Sequence, residues 1–312
     1  IDPYGHELWR WTFPVNQLNQ QTEQLSPLSS RPAYTETENE LTVKANKRTF
    51  IFSKKDGQLK GVSVDNRKIS FANGPRFIGA RRADRSLDQF YNHDDEKAKE
   101  KDRTYSEFPD AAVFTKLDVK EDGGNLVVTA NYKLGNLDKT QWTINPSGEL
   151  ALDYTYNFSG VVDLMGIRFD YPEDQVISKR WLGAGPYRVW QNRIHGTQYD
   201  VWENDYNDPI PGETFTYPEF KGYFGDVSWM NIQTKEGTIS LTNETPDAYI
   251  GVYQPRDGRD RLLYTLPESG ISVLNVIPPV RNKVNSTDLC GPSSQPKWVN
   301  GPQTGRVIFR FM

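Results

Sequence analysis

Apolar and polar residues alternate along most of this chain, with a period of two. Leu126, Val128, Ala130, Tyr132 and Leu134 are separated by Val127, Thr129, Asn131 and Lys133, and Leu152, Tyr154, Tyr156 and Phe158 by Asp153, Thr155 and Asn157. Successive side chains of a strand point to opposite faces, so the pattern sets one face on a core and the other in water. Shorter versions run through Leu41/Val43/Ala45, Phe50/Phe52, Val62/Val64, Ile239/Leu241 and Val307/Phe309/Phe311. Between them fall Lys55-Asp56-Gly57, Asp65-Asn66, Asp122-Gly123-Gly124-Asn125, Asn145-Pro146-Ser147-Gly148, Lys235-Glu236-Gly237 and Asp257-Gly258, the chemistry of tight hairpin turns. No stretch keeps a helical period beyond two turns, and the mixed-charge run from Asp94 to Arg103 reads as a solvated loop. The pattern predicts an all-β protein of about sixteen to eighteen strands in large packed antiparallel sheets.

The pattern breaks near the start. Residues 16–37 are polar and rich in Gln, Ser, Thr and Pro, which predicts a linker. Ahead of it, Glu7-Leu8-Trp9-Arg10-Trp11-Thr12-Phe13 alternates like a strand, with Trp9, Trp11 and Phe13 on one face. One strand cannot bury such a face, so residues 1–15 are expected to complete a domain that lies mostly elsewhere or to pack onto the large sandwich formed by residues 38–312.

Composition narrows the function classes. The formal charge of −4 over 312 residues gives no electrostatic footprint for nucleic acid or an anionic membrane surface. No apolar run approaches the roughly 18 residues of a membrane span, and no signal peptide opens the chain. Cys290 is the only cysteine, so no internal disulfide forms, and with no histidine near it in sequence it makes a poor nucleophile. The histidines at 6, 93 and 195 are far apart, and Asn92-His93-Asp94-Asp95 offers oxygen ligands without a metal-site spacing, so no cofactor or metal is expected. Gly183-Ala184-Gly185-Pro186 is not a phosphate loop, because proline removes a needed amide and no Lys-Ser/Thr follows. Asn243-Glu244 has the look of an acid/base pair, but its setting, Thr242-Asn243-Glu244-Thr245-Pro246, reads as a turn.

The stretch from Trp181 to Trp202 stands apart. It holds Trp181, Trp190 and Trp202 with Arg188 and Arg193. Indole faces stack on the apolar faces of sugar rings and guanidinium forks hold hydroxyls or carboxylates, so with Trp229 these residues are candidates for a carbohydrate surface. The same tryptophans equally suit the core of a large sandwich.

Several motifs occur together in one order: Gly5-His6-Glu7-Leu8-Trp9; Asn46-Lys47-Arg48-Thr49-Phe50-Ile51-Phe52 with Gly57-Gln58-Leu59; Trp181-Leu182-Gly183-Ala184-Gly185-Pro186, then Trp190 and Arg193; Tyr199-Asp200-x-Trp202; and Tyr217-Pro218-Glu219-Phe220-Lys221-Gly222-Tyr223. In this the chain resembles the C-terminal region of a family 2 glycoside hydrolase of the β-galactosidase type. The resemblance implies a galactose-mutarotase-like supersandwich preceded by the last strand of an immunoglobulin-like domain. It also implies a non-catalytic role: shaping the pocket of an upstream barrel that carries the catalytic glutamates. By the same resemblance Arg82, Asn92, Asp94, Trp190, Arg193 and Trp202 are candidate sugar contacts. The partners are the barrel, the immunoglobulin-like domain and the carbohydrate substrate, an oligomer is allowed, and the place is the periplasm or exterior of a bacterium. Two departures weaken galactose specificity. The loop Arg82-Ala83-Asp84-Arg85-Ser86-Leu87-Asp88 differs from the family's, and Glu268–Asn275 lacks the family's aromatic. Two other readings stay open: a free-standing carbohydrate-binding module, and a mutarotase- or polysaccharide-lyase-like enzyme using Tyr187, Arg193, His195 and Tyr199.

Overall fold

A computed structural model describes residues 2–8, 10–12, 30–82, 105–208, 221–255, 266–280, 293 and 295–312. Alternation becomes sheet wherever one face finds apolar cover, and nineteen strands arise among these residues. One antiparallel sheet runs β1 (Ala33–Glu36), β2 (Glu40–Ala45), β3 (Arg48–Ser53), β4 (Leu59–Val64), β6 (Ala72–Arg82), β12 (Leu164–Asp170), β18 (Ile271–Val276), β17 (Tyr249–Gly251), with β5 (Arg67–Ile69) on β4 and β7 (Tyr105–Glu107) on β6. The other runs β14 (Gln198–Asp205), β13 (Val176–Gly185), β15 (Trp229–Thr234), β16 (Gly237–Asn243), β19 (Lys297–Phe311), β11 (Leu150–Val162), β10 (Leu137–Ile144), β9 (Asn125–Lys133), β8 (Val113–Asp122). The one helical element described is a single 3-10 turn, Glu173–Gln175. The expected all-β supersandwich is therefore the fold.

The inner faces meet in one aromatic core. Phe71 packs 5.0 Å from Phe309 and 5.3 Å from Phe311 between ring centres, Phe52 lies 6.1 Å from Trp142, and Phe77 lies 5.4 Å from Tyr156. Each pair joins the two sheets, so the sandwich is held by rings interdigitating across the layer. The predicted turns fall between strands: Lys55–Gly57 joins β3 to β4, Asp122–Asn125 joins β8 to β9, and Asn145–Gly148 joins β10 to β11. In the last, the Asn145 carboxamide oxygen accepts from the amides of Ser147 and Glu149 at 3.1 and 2.9 Å.

Two local expectations are corrected. The linker does not reach residue 37, because Ala33–Glu36 pairs with Leu41–Lys44 of β2; main-chain bonding recruits a strand whose side chains are all exposed. Leu134 does not continue the inward row of β9: it stands beyond the strand at positive φ and is 73% exposed. Residues 7, 8 and 10–12 carry no ladder to the described sheets, and the Thr12 hydroxyl accepts from the amide of Tyr199 on β14 at 2.6 Å. Trp9, Phe13 and most of the 16–37 stretch lie outside the described residues.

Close backbone approach fixes one position tightly. At the bulge where β12 meets β18, a Cβ on Gly166 would lie 2.2 Å from the carbonyl oxygen of Val273 and 2.7 Å from the Cα of Leu274. Main chain cannot swing aside as a side chain does. Gly166→Ala is therefore expected to cost about 1–3 kcal/mol, the usual penalty of overpacking. Urea denaturation would register it as a lower midpoint at unchanged slope.

Candidate functional site

The outer face of the ten-stranded sheet carries a second, smaller core. On β6, Phe77 points into the main core while Ile78 and Ala80 turn outward, and on β12 Leu164 turns outward beside them. Val189, Trp190, Tyr223, Leu266, Leu274, Ile277 and Val280 close over these residues, with Tyr105 and Tyr249 packed at the side. Trp190 meets Tyr223 edge to face at 5.9 Å and keeps only 6% of its surface.

The turn behind Trp190 is tied down by its polar residues. Trp190 and Arg193 bond to each other through their backbones. The Gln191 amide donates to the Pro278 carbonyl at 3.0 Å and its carboxamide donates to the Gln295 carbonyl at 2.8 Å. Asn192 bonds the backbone of Val280 in both directions, at 2.9 and 2.8 Å. Arg82 ends β6 at the same corner: it pairs in register with Tyr105, and its amide donates to the fully buried carboxylate of Asp163 at 3.0 Å. Residue 82 leads into 83–104 and residue 280 into 281–292, both outside the described residues, so Asn92 and Asp94 are too.

The structure thus brings Arg82, Trp190 and Arg193 to one corner and leaves Trp202 on the other sheet. Trp202 lies on the edge strand β14 in register with Trp181 of β13, half-buried, its indole N–H donating to the Gln198 carbonyl at 3.2 Å. Trp181 is fully buried, donates to the Ala184 carbonyl at 3.0 Å, and meets Phe224 edge to face at 5.0 Å. The glycine of the Gly-Pro step has a packing reason, because a Cβ on Gly185 would lie 2.3 Å from the Trp202 ring. Trp229 opens β15 and is half-buried. The expected turn at Asn243 holds: its side-chain oxygen accepts from the Thr245 amide at 3.1 Å, and Glu244 pairs with Arg306 at 3.0 Å. Of the set considered for a lyase, the Tyr187 hydroxyl donates to the His195 carbonyl at 3.4 Å, and Tyr199 shares a 2.6 Å hydrogen bond with Ser228.

Arg188, expected on a carbohydrate surface, is instead buried beside Lys179, a residue that sequence reasoning passed over. Arg188 and Lys179 both approach the Tyr253 ring, their terminal groups 4.9 and 5.2 Å from its centre. Arg188 donates to the Asn207 side-chain oxygen at 2.7 Å, while Lys179 donates to the carbonyls of Asp205 and Asp208. Burial, and then the nearby Arg188 charge, pull the Lys179 amine down to about 6. Burial pulls Arg188 down to about 10 and pushes the Tyr253 phenol far up. Glu173 joins the group to its neighbours, accepting from Tyr206 at 2.9 Å and from the Gln254 amide at 3.0 Å. The signal in the sequence was a lysine on β13 two residues before the buried Trp181, a position on the inward row.

With the geometry in place, likeness to known proteins can be stated. The sequence has no match among curated proteins. Among solved structures, the chain is similar to galactose 1-epimerase from Lactobacillus acidophilus NCFM, with 9% identity, 91% of this chain and 99% of that chain covered, and a TM-score of 0.46. A GalM/aldose epimerase homologue from C. elegans is similar at 8% identity, with 90% and 99% covered and a TM-score of 0.41. The family described as beta galactosidase small chain matches residues 44–279, well over half of the 312 residues, and the chain belongs to that family.

Proposed function

We infer that this chain is the non-catalytic C-terminal region of a family 2 glycoside hydrolase, whose outer corner walls a sugar pocket completed by an upstream catalytic barrel. The observation that carries the reading is how the Trp190–Arg193 turn is used. Its indole is buried against Tyr223, and its two carboxamides hold residues 278–280 and 295. A segment of sugar-binding composition thereby sets the root of 281–292, the stretch beyond Val280. In this reading Arg82 and Arg193 border the pocket, Trp190 stiffens its wall, and Trp202 packs on Gly185 from the edge strand β14. The catalytic barrel and an immunoglobulin-like domain are the partners, residues 1–15 pair with the latter, and the whole enzyme works in the periplasm or outside a bacterial cell.

Rigid walls matter because a misplacement of about 1 Å at a reacting centre costs roughly a hundredfold in rate. The chain alone is expected to give no turnover of a nitrophenyl β-galactoside, and adding it to a separately produced catalytic part is expected to restore hydrolysis. Trp190→Ala should weaken that restoration by about tenfold or more while the sandwich stays folded. Hydrolysis that co-purifies with the isolated chain through every step would sink the reading.

A further inference from the structure

A second polar cleft opens on the same outer sheet face, farther down β6 and β12, where the second core ends. It has a volume of about 540 Å³ and is lined by Lys68, Asn73, Arg76, Arg168, Asp170 and Glu268 among others. That volume falls within the range of small-molecule sites, about 300–1,000 Å³.

Its charges are arranged against folding economy. Arg76 and Arg168 are register partners on neighbouring strands, on the face turned away from the main core. Like charges directly opposite one another in a ladder are destabilising, so the pair calls for an anion. Of the carboxylates nearby, Glu268 is exposed at the rim, and Asp170 and Glu236 are committed. Asp170 accepts from Arg76 and, at 2.8 Å, from Asn73. Glu236 accepts from the Ser70 hydroxyl at 2.6 Å and from Tyr171 at 3.3 Å. Asp110 lies in the field of both arginines, while burial pushes its carboxyl up. Arg168 donates to the backbone carbonyl of Glu268, and among the described residues no carboxylate stands within ion-pair distance of Arg168 or Lys68. The Nε atoms of Arg76 and Arg168 are both buried without a hydrogen-bond partner.

We propose that this cleft binds a carboxylate-bearing sugar, a uronate unit, with the carboxylate held between Arg168, Arg76 and Lys68 and the hydroxyls met by Asn73 and Asp170. Guanidinium forks match a planar carboxylate in two-point geometry, and the amide and carboxylate at the rim suit a polyol. Assigning the anion to a sugar rests on the glycoside hydrolase reading above; the anion site itself rests only on the cleft.

The test is calorimetric titration of the whole folded chain with D-glucuronate, D-glucose and acetate, each at low ionic strength. The expected result is saturable binding of glucuronate, at least about tenfold tighter than glucose or acetate, weakened about tenfold or more by Arg168→Gln and left unchanged by Arg180→Gln, an exposed arginine on the other sheet. Should Arg168→Gln fail to fold, the exposed Lys68→Gln is expected to lower affinity severalfold. No saturable glucuronate binding, or binding indifferent to these variants, overturns the proposal; acetate binding as tightly as glucuronate overturns the sugar assignment. The restoration assay above uses a neutral galactoside, so each reading can fail without the other.

Discussion

Trp181→Ala is expected to lower the unfolding free energy by about 3–5 kcal/mol, the range for truncating a buried tryptophan. The side chain has no exposed surface, packs edge to face on Phe224, and satisfies its N–H on the Ala184 carbonyl. Its loss removes apolar burial, leaves a cavity between β13 and the Phe224 segment, and frees a carbonyl that held the chain in its turn toward Gly185. Trp298 provides the internal control: it is 72% exposed on β19, and Trp298→Ala should change stability by no more than about 0.5 kcal/mol. Urea denaturation followed by circular dichroism checks both. Equal costs for the two substitutions would show that the Trp181 environment is not a packed core.

The second large effect is in pH dependence. Lys179 binds its proton at about 6 in the folded chain, against 10.5 for an ordinary lysine, because burial and the neighbouring Arg188 penalise the charge while Asp208 and Asp205 only partly offset them. Between those values the unfolded chain holds a proton that the folded chain lacks. Stability must therefore rise with pH across the window and fall as pH drops toward 6. The slope from this one group is at most about 1.4 kcal/mol per pH unit. Unfolding measured at pH 6.5, 7.5 and 8.5 should show the rise, and Lys179→Met should flatten it and gain most in relative stability at the acid end. A slope unchanged in Lys179→Met would mean that the amine stays protonated on the Asp205 and Asp208 carbonyls.

Much of the sandwich was legible because exposed strands write their geometry into the sequence. Leu152, Tyr154, Tyr156 and Phe158 all face the core from β11, as their spacing requires, and the predicted turns sit between strands, apart from Asp257-Gly258, which lies outside the described residues. Strands buried on both faces were harder to read. On β6, Phe77, Ile78, Gly79 and Ala80 are all buried, because the main core lies on one side and the Trp190 cluster on the other, and that erases the period of two. β1 buries none of its side chains and is held to the sheet through its main-chain pairing.

The candidate site divides in the same way. Composition alone picked out Trp181–Trp202 as aromatic and arginine-rich, and motif order pointed to the family, because both are properties of the residues themselves. Burial decided what each aromatic does, and burial depends on partners far away in the chain: Trp181 is held by Phe224, Trp190 by Tyr223, and neither contact leaves a trace in local pattern. The same holds for Arg76 and Arg168, which are 92 positions apart in number yet opposite each other on neighbouring strands. Sequence determined the strand chemistry, the turns and the family; the pairing of β6 with β12 and the closing of the outer face decided which side chains meet, since strand register is set by long-range packing rather than by neighbours in the chain.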